Sequence, residues 1–159
     1  MHDTRAIPPD ARLTLQSRLA ELTLVWPWIQ SLARQYSLPA NTQFAIDLCL
    51  EEAVSNVIRH GYAGDPDHTV TIDCIPHQDW LNFIVEDSAP PFPQIQAPDS
   101  IQGDQTLSSQ AVPASVEDLK AGGHGIHLIR QFAGSVAWQQ LPNGNRLTLG
   151  FRIAQPTLS

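Results

Sequence analysis

Glu52 and Asn56 stand four positions apart in an apolar run with helical spacing, Glu52-Ala-Val-Ser-Asn56. On a helix of about 3.6 residues per turn, four positions amount to roughly 40° of rotation, so both side chains project from one face. A carboxylate there suits a general base that takes a proton from a hydroxyl or water attacking a terminal phosphate. A carboxamide one turn on suits a ligand of octahedral Mg²⁺, an ion that keeps several waters and takes few protein ligands. Glu51 lies roughly 140° away from Asn56 and does not share that face. The plain alternative for Glu52 is a solvated helix carboxylate. For Asn56, a poor helix former, it is a local hydrogen bond to the backbone. Further along, Gly122-Gly123-His124-Gly125-Ile126 runs into a short apolar helical pattern. Backbone N–H groups at such a helix start, together with the helix dipole, favour phosphate. The run lacks the Lys-Ser/Thr continuation of a P-loop and follows no strand, so an ordinary glycine turn stays open as the alternative. Asp87 ends an alternating run before a proline-rich stretch. It either caps that turn or accepts an N–H donor of a ligand, such as an adenine amino group, in a largely apolar pocket.

The remaining residues of these types carry less. Phe92 either lines such a pocket or anchors the stretch after Asp87, the latter being preferred. His124 and His127 are taken as surface residues, and Arg130 as the partner of a carboxylate. The histidines follow no zinc-ligand spacing. Cys49 and Cys74, the only cysteines, sit in apolar surroundings and read as small buried hydrophobes rather than a disulfide. With 159 residues, 42% hydrophobic, the chain suits one domain with a substantial core. A formal charge of −7 with nine basic residues argues against direct nucleic-acid binding, which depends on neutralising phosphates. No apolar run reaches the roughly 20 residues that span a bilayer, and the N-terminus has no secretory pattern, so the expectation is a soluble cytoplasmic protein without membrane contact.

The elements that must position these residues follow from periodicity. Ala11 to Gln16 alternates as a first strand, and Ser17 is placed to cap a helix running to Tyr36, which Pro27 should kink or interrupt. Ser37 to Thr42 reads as a loop, with Asn41 or Thr42 as cap of the next helix, Gln43 to about His60, stopped by Gly61. Its buried stripe is Ile46, Cys49, Leu50, Ala53, Val54, Val57 and Ile58. Thr69 to Ile75 and Trp80 to Asp87 alternate like the arms of an antiparallel hairpin. From about 90 to 122 the hydrophobic period disappears, and a loop that long between candidate site residues reads as a lid. Ile126 to Phe132 is a short helix. Val136 to Leu141 and Arg146 to Ile153 are strands around Pro142-Asn143-Gly144-Asn145.

Taken together, these segments resemble the GHKL ATPase superfamily shared by gyrase, histidine kinases and mismatch-repair proteins, and within it the bacterial anti-sigma-factor serine kinases. Phe44 to Tyr62, FAIDLCLEEAVSNVIRHGY, is similar to the helix box, in which Glu52 is the general base and Asn56 the Mg²⁺ ligand. Val85 to Phe92, VEDSAPPF, resembles the adenine box with Asp87 as its base-reading carboxylate. Gly122 to Arg130, GGHGIHLIR, resembles the glycine box that wraps the phosphates, and Asn145 to Phe151, NRLTLGF, the closing strand. The resemblance implies an α/β fold, a two-layer sandwich of the histidine-kinase-like (Bergerat) type, with a mixed or antiparallel sheet, helices on one face and a long ATP lid. The ATP-binding domain would span 11–153, with tails 1–10 and 154–159. ATP would be bound by Asn56, Asp87, Gly122, Gly123, His124, Gly125 and Ile126, with Mg²⁺ on Asn56. The implied function is an anti-sigma regulator that phosphorylates a serine of an anti-anti-sigma antagonist and binds a sigma factor. Two positions depart from the pattern: Ala89 stands where the adenine box usually has Gly, and Gly134 where an Asp often follows the glycine-box helix. Two other readings stay open, a non-catalytic partner-switching module and a histidine-kinase ATP domain separated from its dimerisation helices. Trp26 or Trp28 on the first helix would serve a homodimer.

Overall fold

The structure, a computed structural model, describes residues 11–91 and 125–153, with 125–127 described by backbone alone. Strand β1, Arg12–Gln16, turns Leu13 and Leu15 toward the core by its two-residue period. Ser17 does not cap the following helix as expected. Its hydroxyl donates to the Asp65 carbonyl at 2.6 Å and accepts from the His68 N–H at 3.0 Å, and so ties the end of β1 to a later loop. The next segment is a 3₁₀ stretch, Leu19–Leu24, capped without a side-chain bond by Arg18.

Helix α1 is Val25–Tyr36. Pro27 neither kinks nor interrupts it, against expectation: it falls in the first turn of α1, where backbone N–H groups have no intrahelical acceptor to lose, and the α-helix runs unbroken to Tyr36. Val25, Ile29, Leu32 and Ala33 form its buried stripe. Ser37, in the left-handed region at φ 55°, ends it. Helix α2, Ala40–Asn56, begins earlier than expected, behind Pro39, and neither Asn41 nor Thr42 caps it. Proline at this boundary fixes an extended entry, and Gln43 bonds back to the Pro39 carbonyl through its N–H at 3.0 Å. Beyond Asn56 the chain widens into a π turn, Val57–Gly61, closed by the Tyr62 N–H on the Val57 carbonyl at 2.7 Å.

Strands β2, Thr69–His77, and β3, Trp80–Asp87, form the hairpin. Helix α3, Gly125–Phe132, precedes β4, Ser135–Leu141, and β5, Gly144–Arg152. The last turn is tighter than expected, since Leu141 already pairs with Gly144 and leaves only Pro142 and Asn143 outside the strands. The sheet order is β1-β2-β3-β5-β4, antiparallel at every pair. One face, with Leu15, Val70, Ile72, Leu81, Phe83, Val85, Leu147 and Leu149, is buried together with the apolar stripes of α1 and α2 in a single cluster. The other face carries cross-strand ion pairs, Arg12 with Asp73 and Arg146 with Glu86. This is the two-layer α/β architecture the sequence implied, with the sheet antiparallel rather than mixed. Phe83 centres the core, edge-on to Trp28 and Phe151 with ring centroids at 6.0 and 5.9 Å. Trp28 is therefore partly buried against the core, whereas Trp26 is exposed. Cys49 and Cys74 are buried free thiols, as read, and burial pushes both up to about 12.

Candidate functional site

The β3 alternation that buries Leu81, Phe83 and Val85 carries Asp87 onto the same inward face, at 9% exposure. On β5 the same parity places Asn145 ahead of Leu147 and Leu149, and the register sets Asn145 directly opposite Asp87. Asn145 Nδ2 donates to Asp87 Oδ1 at 2.8 Å and to the Ala89 carbonyl at 3.0 Å. The Ala89 N–H donates to the same Oδ1 at 2.8 Å. Both bonds to the carboxylate end on one oxygen, and among the described residues Oδ2 receives none. Burial raises the Asp87 pKa above the ordinary carboxylate value, the donors from Asn145 and Ala89 oppose that rise, and the charge of Glu86 adds to it. Asp87 does act as a turn cap through Ala89, and this uses only half of its acceptor capacity.

Two residues outside the expected set hold this arrangement. A Cβ at Gly144 would sit inside contact distance of the Asp87 carbonyl, so only glycine lets the start of β5 lie this close to β3. Tyr62, just past the π turn, donates its hydroxyl to the Thr69 carbonyl at 2.8 Å and accepts the Ser88 N–H at 2.8 Å. The end of the α2 segment is thereby pinned both to the start of β2 and to the turn after Asp87. Ala89, one of the two departures, has its methyl in the core at 2% exposure and does not adopt a positive φ, so glycine is not required there. At Gly134 an added Cβ would meet the Trp80 ring at 2.7 Å, which accounts for the missing side chain.

On the helix side, Ala53 and Val57 face a cavity whose other walls are Val85, Asp87, Trp138, Asn145 and Leu147. Its volume is about 10 Å³, roughly what a single water requires. Two of its lining residues carry a polar atom that is buried without a hydrogen-bond partner among the described residues, Asn145 Oδ1 and Trp138 Nε1. Asn56 is 4% exposed and its amide makes no hydrogen bond among the described residues. The local backbone bond that would explain a mid-helix Asn is therefore missing. Glu52, one turn earlier, is partly buried. Burial first, then the side-chain hydrogen bond and charge of Glu51 on the same helix, raise the Asp47 carboxyl to about 7.

Helix α3 packs on α2, with the Cys49 thiol 3.9 Å from the Ile129 carbonyl. The segment after the glycine run thus lies beside the helix that carries Glu52 and Asn56. Gly125 and Ile126 open α3. Gly122, Gly123, His124 and Phe92 lie outside the described residues, as does the expected lid at 90–122 apart from Pro90 and Pro91. Arg130 does not pair with a carboxylate among the described residues; its Nε is buried without a partner.

A model of the histidine kinase-like ATPase domain matches residues 15–151. The chain belongs to that family. Serine/threonine-protein kinase BtrW of Bordetella bronchiseptica is 26% identical over 124 residues, which cover 77% of this chain and 79% of BtrW. Among solved structures, the RsbU and RsbW domains of Rv1364c from Mycobacterium tuberculosis superpose with a TM-score of 0.58 at 16% identity, over 96% of this chain and 34% of that one. This chain therefore spans about a third of the Mycobacterium chain. The catalytic domain of histidine kinase ThkA gives 0.50 at 15% identity, over 89% and 95%. At these identities the two structures establish the histidine kinase-like ATPase fold.

The polar atoms present fit the nucleotide that a histidine kinase-like ATPase domain takes. Asp87 Oδ2 and Asn145 Oδ1 are acceptors left over in an otherwise apolar cavity, suited to a base N–H. Among the described residues no group of three His, Cys, Asp or Glu side chains gathers to hold a metal. A Mg²⁺ at Asn56 would accordingly draw its other ligands from phosphate oxygens and water. No helix among the described residues is long and apolar enough to cross a membrane.

Proposed function

We propose that this chain is an ATP-dependent anti-sigma regulatory factor, which phosphorylates a serine of an anti-anti-sigma antagonist and binds a sigma factor. The observation that carries the reading is the buried Asp87, with Oδ1 fixed by Asn145 and Ala89 and Oδ2 left for a ligand. The similarity to BtrW, named a serine/threonine-protein kinase, supports the choice of phosphoacceptor class. Bound MgATP would supply the transferable phosphoryl group. Asp87 Oδ2 accepts the base N–H, and the Asn56 carboxamide oxygen serves as the protein ligand of Mg²⁺. Glu52 takes the proton of the antagonist's serine hydroxyl as that oxygen attacks. Residues 11–153 act as one ATP-binding unit, with the backbone N–H groups of Gly122, Gly123, His124, Gly125 and Ile126 on the phosphates. Trp26 is the surface for a homodimer, checked by sedimentation of Trp26→Ala.

The test is calorimetric titration of MgATP into wild type, Asn56→Ala and Asp87→Asn, followed by phosphoryl transfer from radiolabelled ATP to an antagonist protein. Wild-type binding that weakens in both variants, with transfer lost in Glu52→Ala, supports the kinase. One observation favours a second reading, a partner-switching module without catalysis: the cavity beside Asp87 has room for a water rather than a purine. That reading expects Glu52→Ala to leave control of the partner unchanged.

A further inference from the structure

The lining of the cavity beside Asp87 has a donor as well as acceptors, and nothing among the described residues accepts from it. Trp138 sits on β4 opposite Leu147, two pairs along, and so on the same face, from the row that joins Asp87, Asn145 and Gln140 across the sheet. Its indole Nε1 is buried without a partner. Phe or Leu at this position would present apolar surface without stranding a donor, so a buried indole N–H here is costly unless something accepts from it. The neighbouring acceptor is equally fixed. Turning the Asn145 amide would set its oxygen against Asp87 Oδ1 and the Ala89 carbonyl, now 2.8 and 3.0 Å from Nδ2, so Oδ1 stays in the cavity wall.

We propose that Trp138 is a ligand-reading residue of this cleft, donating its indole N–H to a ring nitrogen of a base whose amino group is held by Asp87 Oδ2 and Asn145 Oδ1. The inference rests on the nucleotide-binding part of the proposed function and deepens it. The walls present two acceptors and one donor among Ala53, Val57, Val85 and Leu147. Their complement is an aromatic heterocycle with an N–H₂ next to a ring nitrogen lone pair, the pattern of a 6-aminopurine. Without ligand, one water satisfies the same three groups, donating to the carboxylate and amide and accepting from the indole, and its size matches the cavity. The base displaces that water and reproduces its bonds.

The experiment is a ¹⁵N–¹H spectrum of the full chain labelled at tryptophan and backbone nitrogen, with and without MgATP. Trp138→Phe assigns the fourth indole among Trp26, Trp28, Trp80 and Trp138; should it fail to fold, contacts of the indole proton with Val85 and Leu147 methyls assign it instead. Expected are a downfield shift of the Trp138 indole proton and slower exchange with solvent when MgATP binds. Trp138→Phe should bind MgATP roughly 3- to 10-fold more weakly at unchanged Tm. That loss should vanish with either 1-deaza-ATP or 7-deaza-ATP, whichever lacks the accepting nitrogen. Backbone shifts at Asp87 and Asn145 with an unmoved Trp138 indole would overturn the inference and leave a structural water only. No shift anywhere at millimolar MgATP would overturn the nucleotide reading and this inference with it.

Discussion

Asp87 sits in a position of divided duty, one oxygen structural and one outward, and substitution separates the two. Asp87→Asn keeps an oxygen for Asn145 and Ala89 but replaces the ligand acceptor by a donor. MgATP affinity should fall roughly 10- to 100-fold, measured by calorimetry, while Tm is not lowered. The pH dependence has a definite sign. Burial raises the Asp87 pKa in the folded state, so ionisation costs nothing below the ordinary value of 3.8 and costs stability increasingly as pH rises through the raised value. The Tm of Asp87→Asn relative to wild type should therefore climb with pH across that window, and a difference that shrinks would contradict the placement. Gly144 is sensitive for another reason: Gly144→Ala has to push β5 off the Asp87 carbonyl. A loss of about 1–3 kcal/mol in urea unfolding, with weakened nucleotide binding, is expected. Asp87 could be singled out from its type and place in the sequence, but Asn145 read as turn punctuation. The signal was there in the two-residue parity, which carries Asn145 inward with Leu147 and Leu149. A polar residue on a buried face needs a partner, and the register supplies Asp87.

At the scale of elements, the strands and α2 were legible because their periods are strong, and the ends were not. Ser17 and Asn41 are good helix caps by chemistry, yet Ser17 is engaged by Asp65 and His68, from a loop 48 residues away in the case of Asp65. Asn41 is bypassed because Pro39 sets the entry. The 3₁₀ stretch and the π turn are likewise outcomes of tertiary packing that no local propensity encodes. Tyr62 shows what the π turn accomplishes, since its hydroxyl serves both β2 and the turn after Asp87. Tyr62→Phe leaves the Ser88 N–H and the Thr69 carbonyl without that partner and should cost about 1–3 kcal/mol in urea unfolding. A drop in nucleotide affinity should accompany it. Full stability together with full affinity would show that the hydroxyl positions nothing.

For the whole molecule, one buried and one half-buried carboxyl and the overall charge act in the same direction. Asp47 is raised to about 7, chiefly by burial and then by its bond with Glu51, and Asp87 is raised by burial. The folded state thus holds protons that the unfolded chain releases above 3.8, and stability falls as pH rises toward 7. A formal charge of −7 adds self-repulsion at the alkaline end. Urea midpoints should be higher at pH 5.5 than at pH 8.5, and the reverse order would refute the assignment of these two groups. The fold class was readable because a sheet with one covered face writes its alternation along every strand. The cleft was only half readable, since its walls come from α2, β3, β4 and β5 and meet only through register.

The π turn has one more consequence, for insertions and deletions. A π turn is an α-helix with one residue too many, so a chain shortened by one between Val57 and Gly61 regains an unbroken helix at little backbone cost. The same deletion leaves Tyr62 four residues after Val57 instead of five, on the same side of the helix, so its hydroxyl still reaches Ser88 and Thr69. Single-residue deletions across this segment should therefore fold with the Asp87 turn still anchored, which makes the π turn a place where this chain can lose a residue without losing the cleft.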